Sequence, residues 1–435
     1  MTSLTVKPSG PLRGTLTVPG DKSITHRALI LSSLAEGDSL ITKYCRGEDC
    51  LNTMRALQAL GIPIQEQPDR LLVSGKGLWG LSEPSQPIDC GNSGTGIRLL
   101  AGLLAGQDFF TVLTGDESIR RRPMGRVVKP LRAMGATIAG RKGGELAPLA
   151  ITGSRLRGIA YQSPVASAQV KSSLLLAGLF AEGQTSITEP RRSRDHTERL
   201  FRFFGIPIQE RGQALALDGR PASGWQGVTE LPVAGDFSAA AFFLVGASLV
   251  PGSDVTISGV GVNPTRIGLL TILNEMGADI QVLNPREEAG EPIADLRVRA
   301  ASLRGVTIGE AQIPQTIDEF PVLCVAAAYA KGATVISGAG ELRVKESDRI
   351  ATMASELRKM GATITETQDG MIIEGAAGRP FTGASCHSHG DHRVAMSMAV
   401  AGLVADGPSQ IDETVCIETS FPGFERTLLG LVANA

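Results

Sequence analysis

The sequence predicts an α/β fold of two similar domains, each built from three βαβαββ repeats with buried helices. Three observations support this prediction. Short phrases recur at intervals of 69 to 84 residues, the helices between them are of two alternating kinds, and a chain of 435 residues is long enough for two domains.

The repeat is marked by two phrases that alternate along the chain. In the first, the end of an amphipathic helix meets a glycine stop and then a β-branched strand, at Gly61, Gly135, Gly205, Gly277 and Gly361. In the second, an apolar helix ends in a similar stop, at Gly37, Gly106, Gly183, Gly252, Gly332 and Gly407. Helix–glycine–strand punctuation is common by itself, but eleven copies in two interlocked registers indicate a repeat architecture.

Each repeat contains both kinds of helix. The first kind is apolar almost all round, as in IRLLAGLLAG and VAMSMAVAGLVA, which predicts burial on every side. The second kind is amphipathic, as in GRVVKPLRAMG and KESDRIATMASELRKMG, and is expected to cover strands on one face and meet water on the other. The unit therefore reads β-α-β-α-β-β and occurs six times.

The domain boundaries follow from the two ends of this pattern. The last amphipathic helix has no strands after it, whereas SLTVKPSGPLRGTLTVPG places two strand-like runs before the first buried helix. We therefore expect these N-terminal strands to complete the last repeat. Chain crossings near residue 20 and in the weakly periodic segment 226–236 predict one domain over residues 21–233 and a discontinuous one over 1–20 and 234–435. One continuous ring of six repeats is the alternative.

Composition excludes several classes of protein. The 42 Lys and Arg residues against 44 Asp and Glu give a net charge of −2, which argues against a protein that coats nucleic acid. No apolar run is as long as a membrane span requires, and no signal or transit peptide is recognisable at the N-terminus. The six cysteines form no CxxC pair, so we expect reduced thiols and a cytoplasmic protein.

The six buried helices begin with polar residues, which is the most informative feature of the sequence. They begin in the segments GDKSITHR, GNSGTGIR, VASAQVKSS, GDFSAA, IDEFP and HGDHRV. Helix capping accounts for Ser238 and Asp236, because short polar side chains satisfy the first N–H groups of a helix. Capping does not account for the cations, since Lys and Arg in a first turn oppose the helix dipole unless an anion lies nearby.

Seven cations recur at such element ends, and two carboxylates occupy the same class of position. A solvated surface charge would explain any one of them, but together they suit phosphate and carboxylate ligands. Asp318 and Glu346 are carboxylates held among cations, which suits them to act as base and acid. The cations are Lys22, Arg27, Arg122, Arg194, Lys345, Arg349 and Arg393.

Several familiar motifs are absent or incomplete. GDKS lacks the spacing of a phosphate-binding GxxxxGK[ST] loop, and GNSGTG lacks the spacing of a dinucleotide-binding loop. The segment CHSHGDH (386–392) has no second group of ligands elsewhere in the chain, so we expect no metal there. No GxSxG turn occurs either.

The polar starts of the buried helices and the segments that carry the seven cations, taken in order along the chain, resemble 5-enolpyruvylshikimate-3-phosphate synthases of the bacterial branch with RPMGR and SAQVKS motifs. GNSGT, RPMGR and KESDR are the specific blocks. The resemblance implies the enolpyruvyl transferase-like inverse α/β barrel fold and an active site in the interdomain cleft. It also implies transfer of the enolpyruvyl group of phosphoenolpyruvate to the 5-hydroxyl of shikimate 3-phosphate through a tetrahedral intermediate, with release of phosphate. No metal or cofactor, no nucleic acid, no membrane and no second subunit are implied.

The resemblance also carries roles to matching positions. Asp318 is the implied base and Glu346 the implied acid, with Lys22 sharing or relaying the proton. Ser23, Arg27, Ser167, Gln169 and Arg194 are implied at shikimate 3-phosphate, and Lys22, Gly94, Arg122, Gln169, Arg349 and Arg393 at phosphoenolpyruvate. The implied substrate-binding set is completed by Asn92, Ala168, Asp318, Lys345 and His392.

Two features of the family pattern bear on phosphoenolpyruvate. A lysine found near the terminal FP pair in the other branch is missing, and Thr419 and Ser420 stand in that neighbourhood. Gly94 is retained where tolerant relatives carry alanine, which predicts sensitivity to glyphosate.

Three other functions fit the sequence less well. UDP-N-acetylglucosamine enolpyruvyl transferase has the same repeat fold, but Ser23 follows Lys22 where it usually has asparagine, and the loop TGDESIRRRPM lacks its cysteine. A non-catalytic anion-binding protein would not need both Asp318 and Glu346. An RNA-binding repeat protein is disfavoured because there are few aromatic side chains on which bases could stack.

Overall fold

The computed structural model describes residues 3–221 and 224–432, which fall into two compact units. The first unit comprises Gly20–Ala234 together with Glu287–Glu291. The second comprises the chain up to Pro19, Gly235–Arg286 and the chain from Pro292. The short excursion Glu287–Glu291 has no counterpart in the repeat pattern of the sequence.

The strands of the described residues are short, and in chain order they are β1 (Ser3–Val6), β2 (Arg13–Thr17), β3 (Glu36–Thr42), β4 (Ile64–Glu66), β5 (Arg70–Lys76), β6 (Ile88–Asp89), β7 (Phe110–Thr114), β8 (Thr137–Gly140), β9 (Leu146–Thr152), β10 (Ala160–Gln162), β11 (Gln184–Thr188), β12 (Gln209–Arg211), β13 (Ala214–Asp218), β14 (Leu231–Pro232), β15 (Asp254–Gly261), β16 (Asp279–Glu288), β17 (Glu291–Arg299), β18 (Thr307–Ile308), β19 (Lys331–Ile336), β20 (Thr363–Glu366), β21 (Met371–Ala376), β22 (Ser385–His387) and β23 (Ser409–Asp412).

The helices alternate in kind, and in chain order they are α1 (Lys22–Leu34), α2 (Glu48–Ala59), α3 (Gly94–Ala105), α4 (Glu117–Arg121), α5 (Gly125–Ala133), α6 (Arg141–Gly144), α7 (Ala168–Gly178), α8 (His196–Phe203), α9 (Phe237–Leu249), α10 (Gly268–Glu275), α11 (Ile313–Thr316), α12 (Phe320–Tyr329), α13 (Arg349–Lys359), α14 (His392–Gly402) and α15 (Phe424–Leu429). Two 3₁₀ helices span Gly340–Val344 and Thr414–Thr419.

The first unit contains three four-stranded sheets of one plan. Their strand orders are β14-β3-β5-β4, β6-β7-β9-β8 and β10-β11-β13-β12. In each sheet the first two strands are parallel and the remaining pairs are antiparallel. In the second and third sheets the parallel strands flank a buried helix, α3 or α7, so each forms a βαβ crossover.

The second unit repeats this plan with one truncated sheet. Its strand orders are β16-β17-β15-β2, β18-β19-β21-β20 and β1-β23-β22. The pairs β2–β15, β18–β19 and β22–β23 are parallel, and β1 runs antiparallel to β23.

Two strands are exchanged between the repeats that contain α1 and α9. Strand β2 precedes α1 in sequence but pairs with β15, which follows α9. Strand β14 precedes α9 but pairs with β3, which follows α1. The expectation that both N-terminal strands complete the last repeat is therefore right for β1 and wrong for β2. A short run before a helix carries no sign of which sheet it joins, since either sheet offers a parallel partner.

The apolar helices form the cores of the units, as their composition predicts. Every residue of α9 is buried, and its Phe242 and Phe243 rings pack against Phe424 with centroids 5.9 Å away. In the first unit, α3 and α7 approach so closely that a Cβ on Gly102 would lie 2.1 Å from the backbone oxygen of Ser173. The five glycines that end the amphipathic helices all have φ between +73° and +102°, which explains the recurring glycine.

In residues 3–221 and 224–432, no helix is both long enough and apolar enough to cross a membrane.

Candidate active site

More of the buried helices are capped by a side chain than the sequence predicts. Asp21, Ser93 and Ser167 cap α1, α3 and α7 by accepting N–H hydrogen bonds from the first turn. Asp236 and Asp391 do the same for α9 and α14. The expectation that Ser238 is a cap is wrong. Its N–H donates to Asp236, while its hydroxyl donates to Glu319 and accepts from Arg266.

Lys22 and Arg27 lie on the first two turns of α1. The ammonium of Lys22 is 2.8 Å from Asp49 Oδ2 at the start of α2. Arg27 is buried and donates from Nε to Thr197 and from Nη2 to Ser172, over 2.7 and 2.6 Å. Its Nη1 donates to the backbone oxygen of Ser23. This lysine and arginine therefore stand on a rigid, buried support.

Arg27 remains a cation in this environment. Burial lowers its pKa to about 10, although the carboxylates of Glu198 and Asp21 oppose that change. Arg194 lowers the pKa further because its positive charge is close. The positive charges of Arg27 and Arg194 are therefore close enough to interact.

Gly94 and Arg122 are in direct contact. A Cβ on Gly94 would lie 2.8 to 2.9 Å from the guanidinium atoms of Arg122, so only glycine lets this arginine pack against the first turn of α3. Arg122 follows α4 and is almost fully buried. The side-chain amide of Asn92, two residues before Gly94, donates to Asp116 Oδ2 over 2.6 Å.

Arg98 is an important residue that the sequence analysis missed. It is buried in α3, and its Nη1 donates to Gln169 Oε1 over 2.8 Å and to the backbone oxygen of Gly94. Its Nη2 donates to the backbone oxygen of Pro123, next to Arg122. One guanidinium thus ties Gly94, Gln169 and the Arg122 loop together. The sequence offered one signal, a lone arginine in an otherwise apolar helix.

The start of α7 joins the loop that precedes α8. Ala168 is the first residue of α7, and Ser167 caps the helix. The N–H of Ser167 donates to Glu189, which also accepts from the N–H and hydroxyl of Ser193. Arg194 follows Ser193 directly, so Ser167 and Arg194 are held through one carboxylate.

In the second unit, a buried arginine links the two predicted acid–base residues. Arg349 Nη2 is 2.7 Å from Glu346 Oε2, and its Nη1 is 3.6 Å from Asp318 Oδ1. Asp391 accepts from Nε over 2.8 Å. Burial by itself would lower the pKa of Arg349, but the carboxylates of Asp391 and Glu346 outweigh it and hold the pKa above its ordinary value.

Arg393 joins the same group from α14. Its Nη1 donates to the backbone oxygen of Asp318 over 3.0 Å, and its Nη2 is 3.9 Å from Asp318 Oδ2. His392 is buried beside it as the first residue of α14, and Lys345 is half-buried after the 3₁₀ helix Gly340–Val344. Asp318, Glu346, Arg349 and Arg393 therefore form one cluster.

A further buried charge cluster in the second unit was not predicted. Arg266 Nη2 is 2.6 Å from Asp236 Oδ1 and donates to Ser238, which in turn donates to Glu319. Arg266 stands 11 residues before its repeat glycine, as Arg194 does before its own. Aligning the repeats on these glycines would have found it.

The histidine-rich segment before α14 is occupied by ion pairs. His389 Nε2 is 2.9 Å from Glu356 Oε1, and Glu356 also pairs with Lys359. Over the part of the chain that the structure describes, no group of three or more His, Cys, Asp or Glu side chains could hold a metal ion.

The comparisons with known proteins first define a class. The solved structure of the enolpyruvyl transferase NikO from Streptomyces tendae matches with a TM-score of 0.81 at 16% identity, covering 99% of this chain and 98% of that chain. At this identity the likeness establishes the fold, which is that of an enolpyruvyl transferase.

The sequence comparisons place the chain in one family within this class. A family model described as EPSP synthase (3-phosphoshikimate 1-carboxyvinyltransferase) matches residues 6–428, and the chain belongs to this family. The 3-phosphoshikimate 1-carboxyvinyltransferase of Geobacter sulfurreducens is 56% identical over 98% of this chain and 99% of its own, and that of Geotalea uraniireducens is 53% identical over 98% of each chain. A solved EPSP synthase from Acinetobacter baumannii has a TM-score of 0.88 and 46% identity, over 99% of this chain and 98% of that one.

Proposed function

We propose that this chain transfers the enolpyruvyl group of phosphoenolpyruvate to the 5-hydroxyl of shikimate 3-phosphate and releases phosphate. This is the reaction that the family's name describes, a step of the shikimate pathway towards chorismate and the aromatic amino acids. The observation that carries the assignment of roles is the cluster in which Arg349 contacts both Glu346 and Asp318.

The cations are proposed to bind the two substrates. Both are small polyanions, with about five negative charges together when their phosphates are mostly doubly ionised. Arg27, Arg194, Ser167 and Gln169 are assigned to shikimate 3-phosphate. Arg122, packed against Gly94, is assigned to phosphoenolpyruvate. The buried hydrogen bonds of Arg27 support this role, because they fix the guanidinium before a ligand arrives.

Further assignments follow from the matching motif positions. Lys22, Arg349 and Arg393 are assigned to phosphoenolpyruvate with Arg122. Lys345 and His392 are also assigned to substrate binding. Lys345 directly precedes Glu346 in the sequence, and His392 directly precedes Arg393.

The carboxylates are proposed to move the protons. Glu346 protonates the methylene carbon of phosphoenolpyruvate, and positive charge develops at the neighbouring carbon. The acceptor 5-hydroxyl then attacks that carbon while Asp318 takes its proton, which gives a tetrahedral intermediate. Glu346 recovers a proton from the new methyl group as the carbon–oxygen bond to phosphate breaks, and the proton held by Asp318 balances the released phosphate. Lys22 is assigned the sharing or relay of the proton delivered by Glu346.

A phosphate-release assay tests the function. Purified protein is incubated with phosphoenolpyruvate and either shikimate 3-phosphate or UDP-N-acetylglucosamine as acceptor. We expect phosphate release with shikimate 3-phosphate only. Release with the sugar nucleotide alone would overturn the proposal.

Replacement of Glu346 by glutamine tests its role as the acid. We expect the turnover number to fall about 100-fold or more, because the amide cannot deliver the proton. Glu341→Gln, in the neighbouring 3₁₀ helix, is the matched control. An unchanged turnover number in Glu346→Gln would remove Glu346 from the mechanism.

Two finer assignments belong to the proposal. We expect a monomer, to be checked by light scattering during gel filtration. A cytoplasmic location is supported by the cysteines, because all six are free thiols and five of them are buried.

A further inference from the structure

Three buried charged side chains meet at the first turn of α7, which carries Lys171. Lys171, Glu189 and Glu198 are each at most 5% exposed. Lys171 Nζ is 2.7 Å from Glu198 Oε1 and 3.2 Å from Glu189 Oε2, and it donates to the backbone oxygen of Ser193. Burying such a triad carries a large desolvation penalty, and apolar side chains of similar size would fill the space at least as well. The triad therefore calls for a reason other than stability.

Glu189 is the member of the triad that is hydrogen-bonded to Ser167 and to Ser193, the residue before Arg194. Its Oε1 accepts the N–H of Ser167 over 2.9 Å. Its Oε2 accepts the N–H of Ser193 over 3.2 Å and the Ser193 hydroxyl over 2.8 Å. Ser167 caps α7, and Ser193 directly precedes Arg194. These two segments are 26 residues apart in sequence and are joined through this carboxylate.

The other two members of the triad support Glu189. Lys171 neutralises it and also holds the Ser193 carbonyl, so the loop is fixed from both its N–H and its C=O side. Glu198 is the second partner of Lys171, and burial raises its pKa while Lys171 opposes the shift. Glu198 also stabilises the charge of Arg27. The triad thus reaches Ser167, Arg194 and Arg27, the residues proposed to hold the acceptor.

We propose that Glu189 is a positioning residue that sets the spacing between Ser167 and Arg194 and so gives the enzyme its selectivity for a phosphorylated acceptor. This inference rests on the proposed function. It adds that discrimination between shikimate 3-phosphate and unphosphorylated shikimate depends on a carboxylate that does not itself touch the substrate.

The test compares the two acceptors in the Glu189→Gln variant. The amide keeps the size of the side chain but can no longer accept on both of its terminal atoms, so one of the two segments is released. We expect kcat/KM for shikimate 3-phosphate to fall about tenfold or more, chiefly through KM, because a charge-assisted hydrogen bond is lost. For shikimate we expect kcat/KM within about threefold of the wild type, and for phosphoenolpyruvate an unchanged KM. Glu182→Gln is the matched control, since Glu182 pairs with Arg220 at the surface.

The outcomes separate the alternatives. A purely structural role would lower the melting temperature and leave the ratio of the two kcat/KM values unchanged, which would overturn the proposal. Glu189→Asp retains the charge but is too short to bridge both segments, so its ratio is also expected to fall. If Glu189→Gln does not fold, Glu189→Asp decides the question. A ratio of kcat/KM for shikimate 3-phosphate to kcat/KM for shikimate equal to that of the wild type would then overturn the proposal. Absence of activity of the wild type with shikimate 3-phosphate would instead refute the proposed function.

Discussion

At the scale of single residues, buried arginines organise both candidate clusters. Arg98 in the first unit and Arg349 in the second are each almost fully buried, and each joins three segments of the chain. Arg349 was predicted because it opens a helix in a charged segment. Arg98 was not, because an isolated arginine in an apolar helix gives no indication of its partners. Side-chain partners distant in sequence are decided by packing, which local patterns do not encode.

Replacement of Gly94 by alanine tests the contact with Arg122. The added methyl would lie 2.8 Å from the guanidinium, so the arginine must move. We expect the wild type to be inhibited by glyphosate with a submillimolar inhibition constant against phosphoenolpyruvate. Gly94→Ala is expected to raise both that constant and the KM for phosphoenolpyruvate by about tenfold, since a displaced charge-assisted contact is weakened.

Gly407→Ala is the control for this change, because a Cβ there meets no atom within 4 Å. Steady-state kinetics of the three proteins provide the measurement. A millimolar inhibition constant for the wild type would contradict the prediction.

His26 predicts a pH dependence of stability. It is fully buried between Thr53 and Ser93, and burial, followed by the charges of Lys22 and Arg27, holds its pKa well below 6.5. The neutral form therefore favours the folded protein. Its contribution to stability is complete above pH 6.5 and is lost as the pH falls below that value, by up to about 1.4 kcal/mol per pH unit.

Urea unfolding between pH 7.5 and 5.5 measures this effect. We expect the free energy of unfolding of His26→Gln to fall less steeply with decreasing pH than that of the wild type. His387→Gln, at an exposed histidine, should follow the wild-type curve. Parallel curves for all three proteins would show that His26 does not titrate on unfolding.

At the scale of elements, the starts of the helices combine capping with charge pairing. Asp391 caps α14 and also pairs with Arg349, whereas Asp348 caps α13 and pairs with the partly exposed Arg343. The sequence indicated where these helices begin, because Asp before an apolar run is typical of a cap. It did not indicate that Asp391 pairs with the buried Arg349.

These two caps give a matched pair of substitutions. Asp391→Ala is expected to lower the free energy of unfolding by about 3–5 kcal/mol, because it removes a fully buried counter-charge of the buried Arg349. Asp348→Ala should cost about 1 kcal/mol, the usual value of a cap. Chemical denaturation measures both, and equal losses would mean that the ion pair adds nothing to capping.

At the scale of the whole molecule, the chain crosses between its units beside the exchanged strands and again on either side of Glu287–Glu291. The predicted boundaries at 20/21 and 233/234 lie one residue from the division at 19/20 and 234/235.

Truncation of the N-terminal strands tests this organisation by hydrogen exchange. A chain that starts at residue 8 lacks β1, and we expect Ser409–Asp412 to lose protection because its antiparallel partner is gone. A chain that starts at residue 20 also lacks β2, so Asp254–Gly261 should lose protection as well. Glu36–Thr42 keeps β5 and β14 as partners and should be unaffected in both. Wild-type protection at Asp254–Gly261 in the shorter chain would contradict the observed pairing.

The sequence by itself determined the repeat, the two kinds of helix, the glycine that ends each amphipathic helix and the residue types at the helix starts. These features are local, because hydrophobic periodicity, capping and left-handed glycine each depend on a few neighbouring residues. Only the tertiary structure decided that β2 and β14 are exchanged, that Arg98 holds Gln169, and that Glu189 joins Ser167 to Ser193. Each of these is a pairing over long separations in sequence, chosen by which groups the packed helices bring within hydrogen-bond distance, and a short segment carries no record of that choice.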